Sequence, residues 1–131
     1  MKKLKGLIIV LSILLSLFGL TACDGDNNNS YEQITPQEAK TIMDTENDYI
    51  IIDARTTEEF AEGHIENAIL IPEYEIADRA EKELPYKDVL ILVYCRSGRR
   101  SKIASEELVK LGYTNVKEFG GIIDWPYEIV K

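Results

Sequence analysis

Three short, unbroken apolar runs limit what this chain can fold into. YIIID (49–53), AILIP (68–72) and DVLILVY (88–94) show no alternation of apolar and polar residues. Each therefore reads as a strand buried on both faces, not as one with a solvated side. The segments around them carry helical signals. Thr35 and Pro36 open QEAKTIMD as a helix with a capping residue and proline at its first position. Thr56 or Thr57 caps a short helix through Phe60 that Gly63 stops, and EIADRAEKEL forms another that ends before Pro85. From Ser101 to Leu111, Ile103, Ala104, Leu108 and Leu111 share one helical face, which Gly112 closes. NVKEF (115–119) adds a strand, and Gly120-Gly121 leads into a short helix around Trp125. Strands alternating with helices predict an α/β fold: a mainly parallel central sheet of about five strands with helices on both faces.

A different composition precedes this pattern. MKKLKG is basic, and residues 7–20 form an apolar stretch of 14 residues, followed by the small Thr21 and Ala22. A bilayer-spanning helix needs about 20 apolar residues, so 1–22 reads as a cleaved export signal and not as a span. Leu20-Thr21-Ala22-Cys23 resembles the lipobox of bacterial lipoproteins. On that resemblance Cys23 is the lipidation site and the first mature residue, and the protein is exported and lipid-anchored on the extracytoplasmic face of a bacterial membrane. Two or more acyl chains give durable attachment where one gives only marginal binding. The polar DGDNNNS stretch has no aliphatic residue and is expected to act as a flexible tether over 23–30. A single domain is left over 31–131.

Charge narrows the class of partner. Of 15 lysines and arginines, Lys2, Lys3 and Lys5 lie in the leader, so the remainder carries 12 basic against 23 acidic residues, a formal net charge of −11. Such an acidic domain is not built for nucleic acid, which wants a basic face, or for electrostatic adhesion to anionic lipid. Against that background CRSGRRS, with three arginines, stands out.

If Cys23 is lipidated, Cys95 is the only thiol left, and no disulfide can form within the domain. Cys95 follows the most apolar strand directly, and in open α/β sheets sites gather at the carboxyl ends of strands. A short loop from strand to helix can turn successive N–H groups inward as an anion-binding nest, with Gly98 supplying the backbone angles of a tight curl. The helix beyond adds unpaired N–H groups and the positive end of its dipole. Both favour the thiolate, whereas a structural cysteine would lie in an apolar pocket without arginines beside it. Cys95 is therefore expected to be an exposed nucleophile at neutral pH. Guanidinium groups bind oxyanions with paired hydrogen bonds. Arg96, Ser97, Gly98, Arg99 and Arg100 are accordingly expected to cradle a small anion that carries an atom open to thiolate attack.

CRSGRRS resembles the active-site loop of rhodanese-like sulfurtransferases, in which the catalytic cysteine heads a six-residue loop, here 95–100. IIDAR (51–55) resembles the family's D-V-R element, EEFAEGHIENAILIP (58–72) its E-F/Y-x-x-G-H-I-x-G-A-x-N-I-P element, and GGIIDW (120–125) its closing G-G-x-x-x-W. Asn67 stands where glycine is usual and Leu70 where asparagine is. The resemblance implies the rhodanese-like fold and a sulfurtransferase with no metal or cofactor. Sulfane sulfur would pass from a donor such as thiosulfate to a thiol or cyanide through a Cys95 persulfide. Arg96 and Arg100 would hold the donor's sulfonate, and Ser97 and Ser101 would donate to the persulfide or cap the helix, capping being favoured for Ser101. A persulfide carrier, or a binding module serving a sulfur-relay protein at the membrane surface, would carry the same machinery but load once without turning over.

Cysteine-dependent phosphatases and arsenate reductases resemble H-C-x5-R instead. Here Tyr94 replaces the histidine, Ser101 the arginine, and the spacing is C-x4-R. The shorter loop fits the outer sulfur of a persulfide and leaves little room for phosphate. One histidine and one available thiol make no metal site, and His64 resembles a structural residue of the family. Asp53 is expected to pair with Arg55, and Trp125 and Tyr127 to pack in the core.

Overall fold

The computed structural model describes residues 30–131. The expected export signal, Cys23 and the tether up to residue 29 lie outside the described residues. Five strands form one sheet: β1 (Glu32–Gln33), β2 (Tyr49–Asp53), β3 (Ile69–Leu70), β4 (Leu90–Cys95) and β5 (Val116–Gly121). Four helices connect them: α1 (Pro36–Thr45), α2 (Thr57–Glu62), α3 (Ile76–Glu83) and α4 (Arg99–Lys110), with 3-10 turns at Glu73–Glu75 and Ile122–Asp124. Strand order is β1-β5-β4-β2-β3, and every pairing is parallel.

Local chemistry sets the boundaries. Thr35 and Thr56 each close a capping box, exchanging hydrogen bonds with Glu38 and Glu59 respectively. Four elements differ from the sequence reading. β1, only two residues long, is added at the sheet edge, where it carries too few residues to show a pattern. The AILIP run contributes just Ile69–Leu70: Ile71 still donates to the Asp53 carbonyl, but Pro72 has no N–H and the ladder stops. α4 starts at Arg99, two residues earlier than expected, because Gly98 takes φ +107° and caps it. The closing helix is a single 3-10 turn ending before Trp125.

Alternate residues of the central strands feed two cores. Ile52, Ile91, Val93 and Cys95 face α3 and α4, packing with Ile76, Ala80, Ala104 and Leu108. Ile51, Leu92 and Tyr94 face the other way, with Ala39, Phe119 and Trp125. Both faces are covered, which is why the runs are apolar throughout; each fully buried aliphatic side chain contributes about 1.5–3 kcal/mol. Among the described residues no helix is long and apolar enough to cross a membrane.

Candidate active site

Cys95 is the last residue of β4, and it points to the α4 side with Ile91 and Val93. The expected exposure is corrected: the residue is 1% exposed, because α4 begins over its sulfur instead of projecting away from it. The chain turns at Gly98, whose N–H donates to Cys95 Sγ at 3.0 Å. α4 follows at once, so its unpaired first-turn N–H groups and positive dipole end lie beside the thiol.

The floor of this loop is the backbone of Gly121. A Cβ there would lie 1.9 Å from the Arg96 carbonyl oxygen and 2.5 Å from the Ser97 nitrogen, so no side chain fits. Ile123 N–H donates to the same Arg96 carbonyl at 3.2 Å, fastening the loop to the end of β5. The Gly-Gly pair thus has a mechanical meaning. Gly120 takes φ +90° and lets β5 turn, and Gly121 lets the loop approach the strand.

Behind the thiol lies a polar chain that the sequence reading missed. Cys95 Sγ is 3.3 Å from Ser101 Oγ, which is 2.6 Å from Glu118 Oε1. Gly120 N–H donates to the same carboxylate oxygen at 2.8 Å. Ser101 and Glu118 are both buried, at 0% and 3% exposure. Ser101 therefore does not cap α4 as expected; Gly98 holds the cap position, and the serine hydroxyl turns inward. The signal was present in NVKEF, where Val116 and Glu118 share a strand face that would otherwise be apolar.

The arginines take different posts. Arg96 and Arg99 are exposed on the loop, as is Ser97, and among the described residues neither arginine is ion-paired. Arg100 pairs with Glu59, with Nη1 to Oε1 at 2.6 Å and Nη2 to Oε2 at 2.9 Å, while its charge still couples to Cys95. Hydrogen bonds from Arg100, and after them from Thr56, hold the Glu59 carboxyl down to about 2. Any role of Arg100 in holding a donor competes with this pair.

Asp53 and Arg55 meet as expected. Arg55 Nε and Nη2 donate to the Asp53 carboxylate, Nη2 also donates to the Gly63 carbonyl, and Tyr94 Oη donates to Asp53 Oδ2 at 2.7 Å. Burial, then the Asp53 charge, raise the Tyr94 phenol well above its ordinary value. Tyr94 Oη in turn accepts the Ile65 N–H at 3.0 Å. The network fastens the segment Gly63-His64-Ile65 to the carboxyl end of the sheet. His64 stacks on Phe60 with centroids 3.7 Å apart and bridges Val130 through its backbone, a structural position. Trp125 packs on Phe119 in the core as expected, but Tyr127, expected there too, is exposed and meets the Trp125 ring in an edge contact. Among the described residues no group of three or more His, Cys, Asp or Glu could hold a metal ion.

The rhodanese-like domain model matches residues 35–126. The chain belongs to the rhodanese-like family. Thiosulfate sulfurtransferase PspE of Escherichia coli (strain K12) is 40% identical over 80 residues, covering 61% of this chain and 77% of that protein. A solved structure described as rhodanese with anions from E. coli is 37% identical with a TM-score of 0.60, covering 63% of this chain and 98% of that one. Likeness over most of these single-domain relatives supports a rhodanese-like enzyme. Longer relatives share the domain too. This chain spans only 24% of the adenylyltransferase and sulfurtransferase UBA4 of Candida albicans (strain SC5314 / ATCC MYA-2876), 33% identical over 104 residues and 74% of this chain.

Proposed function

We propose that this domain is a sulfurtransferase that carries sulfane sulfur on Cys95 as a persulfide, taking it from a small anion such as thiosulfate and passing it to a thiol or cyanide. The observation that carries this reading is the Gly98 N–H on Sγ at the mouth of α4, where backbone dipoles favour negative sulfur. The Cys95 thiolate attacks the donor's outer sulfur. A Sγ–S bond forms, the donor's S–S bond breaks, and sulfite leaves with the electron pair. The acceptor then attacks the outer sulfur and the Cys95 thiolate returns, a double displacement with ping-pong kinetics as its mark. Arg96 and Arg99, exposed at the loop, meet the donor's oxygens.

Intact mass of the Cys23→Ser protein, before and after thiosulfate and again after cyanide, tests this. A gain of one sulfur that cyanide removes, absent in Cys95→Ser, supports the reading; no gain with any sulfane donor overturns it. A sulfur that loads but passes to no small acceptor would mark a carrier. We also propose, from the leader alone, that the protein is exported and anchored by lipid on Cys23. Acyl groups on an N-terminal Cys23 in the native protein would support that, and a free thiol there would refute it.

A further inference from the structure

A cleft of about 820 Å³ opens on the α1 side of the sheet, whereas Cys95 lies on the α4 side. Its lining includes the buried Ile51, Ile65 and Trp125. Three segments far apart in sequence wall it in. From α1 come Lys40, Met43 and Asp44, whose i, i+3, i+4 spacing places them on one helical face. A second wall is the turn at 65–68, closed by the Ala68 N–H on the Ile65 carbonyl at 3.0 Å, with Asn67 at its corner in the left-handed region at φ 68°. The third is the segment 125–128, pinned at both ends: Trp125 packs on Phe119, and beyond the cleft Val130 exchanges backbone hydrogen bonds with His64, both 2.8 Å. Each wall is held by contacts of its own, so the cleft is preformed. Small-molecule sites occupy clefts of about 300–1,000 Å³ that likewise combine an apolar lining with a few polar groups.

Those polar groups select the charge of the occupant. Three carboxylates, Asp44, Glu66 and Glu128, line the cleft against one ammonium, Lys40, which is bound to Asp44. Among the described residues Glu66 and Glu128 have no ion pair. Aromatic rings add to the same preference. Trp125 and Tyr127 meet edge to face with centroids 4.9 Å apart, and the Tyr49 hydroxyl donates to the Met43 carbonyl at 3.1 Å, which fixes a third ring. Lys40 Nζ lies 5.6 Å from the Tyr127 centroid, within reach of the negative face of the ring. One cation thus already sits against this ring, and the Glu66 and Glu128 charges remain uncompensated.

We infer that this cleft binds a small organic ammonium ion, its apolar body on Ile51, Ile65 and Trp125 and its charged head held by the Tyr127 ring and the unpaired carboxylates. An anion of the same size meets net repulsion there, and a neutral molecule gains only the apolar contacts. The site lies beyond the sulfur-transfer reading: occupancy of the α1 side can be measured without any chemistry at the thiol.

Trp125 is the only tryptophan, and its indole N–H donates to the Glu128 carbonyl at 3.3 Å in the wall of the cleft. The test follows this single indole resonance by NMR in the full chain carrying Cys23→Ser as phenethylammonium is added, with phenethyl alcohol and hydrocinnamate as neutral and anionic counterparts. The ammonium should shift the resonance saturably and bind roughly tenfold tighter than the alcohol, and hydrocinnamate should not bind. Glu66 and Glu128 are exposed, so replacing both with glutamine leaves the fold intact; it should weaken the ammonium roughly tenfold. Lys40→Gln removes the competing cation and should tighten binding about threefold. No saturable shift, equal binding of the alcohol, an affinity indifferent to the paired glutamine substitutions, or no gain in Lys40→Gln overturns the inference. Sulfur loading of Cys95 is read separately by mass, so either reading can fail while the other stands.

Discussion

Adding one methyl group to Gly121 should disable the site without unfolding the protein. The backbone there is extended, φ −131° and ψ 157°, a conformation any residue adopts, so alanine brings no strain of its own. What it brings is a collision: its Cβ would stand 1.9 Å from the Arg96 carbonyl oxygen, where real contacts do not fall under 3.0 Å. The loop must retreat by about 1 Å, and a misplacement of that size at a reacting centre costs about 10²-fold in rate. Overpacking adds a stability loss of about 1–3 kcal/mol. Gly112→Ala is the control. It has no atom within 4 Å of the added Cβ but φ +97°, so it loses stability through backbone strain and keeps its chemistry. The assay is kcat/KM for thiosulfate with cyanide as acceptor, alongside urea unfolding of each variant. A folded Gly121→Ala protein with activity near that of Gly112→Ala would refute the claim that this glycine sets the loop's position.

Two further predictions concern stability. The Glu59 carboxyl is held down to about 2 chiefly by Arg100, so the pair stabilises the fold above the ordinary carboxyl value of 4.5, and that contribution is lost as pH falls toward 2. Glu59 is a quarter exposed, and solvent screening leaves about 1 kcal/mol; Glu59→Gln should cost that at neutral pH, with the gap in urea midpoints closing as pH falls through this range. A gap independent of pH would contradict it. Asp53→Asn should cost about 3–5 kcal/mol in urea unfolding, because it leaves the Arg55 guanidinium buried without its counter-charge. A loss below about 1 kcal/mol would show that the Gly63 carbonyl alone satisfies Arg55.

The sheet and the place of Cys95 at the end of its central strand were legible because they rest on short-range chemistry. YIIID and DVLILVY are apolar on both faces only if both faces are covered, and Cys95 ends its strand next to a glycine that can turn the chain. Thr35 and Thr56 announced their helices through caps that need no tertiary partner. What stayed hidden depends on contacts distant in sequence. Arg100 meets Glu59 across 41 residues, and Ser101 meets Glu118 across 17. No local pattern distinguishes an arginine that will face a substrate from one that will face a glutamate. Ser101 reads as a capping residue until the φ of Gly98 moves the helix start two positions back.

The order of elements along the chain also fixes an order in time. β1 joins the sheet only through β5, with Glu32 opposite Lys117, so the first strand to be made has nothing to dock on until almost everything else has been made. Closing so long a loop is the slow, non-local kind of event in folding. The same late strand ends in Gly120 and Gly121, the floor under Arg96 and Ser97. A chain that stops after α4 therefore possesses its thiol but not the seat that shapes the loop around it, which arrives only with β5.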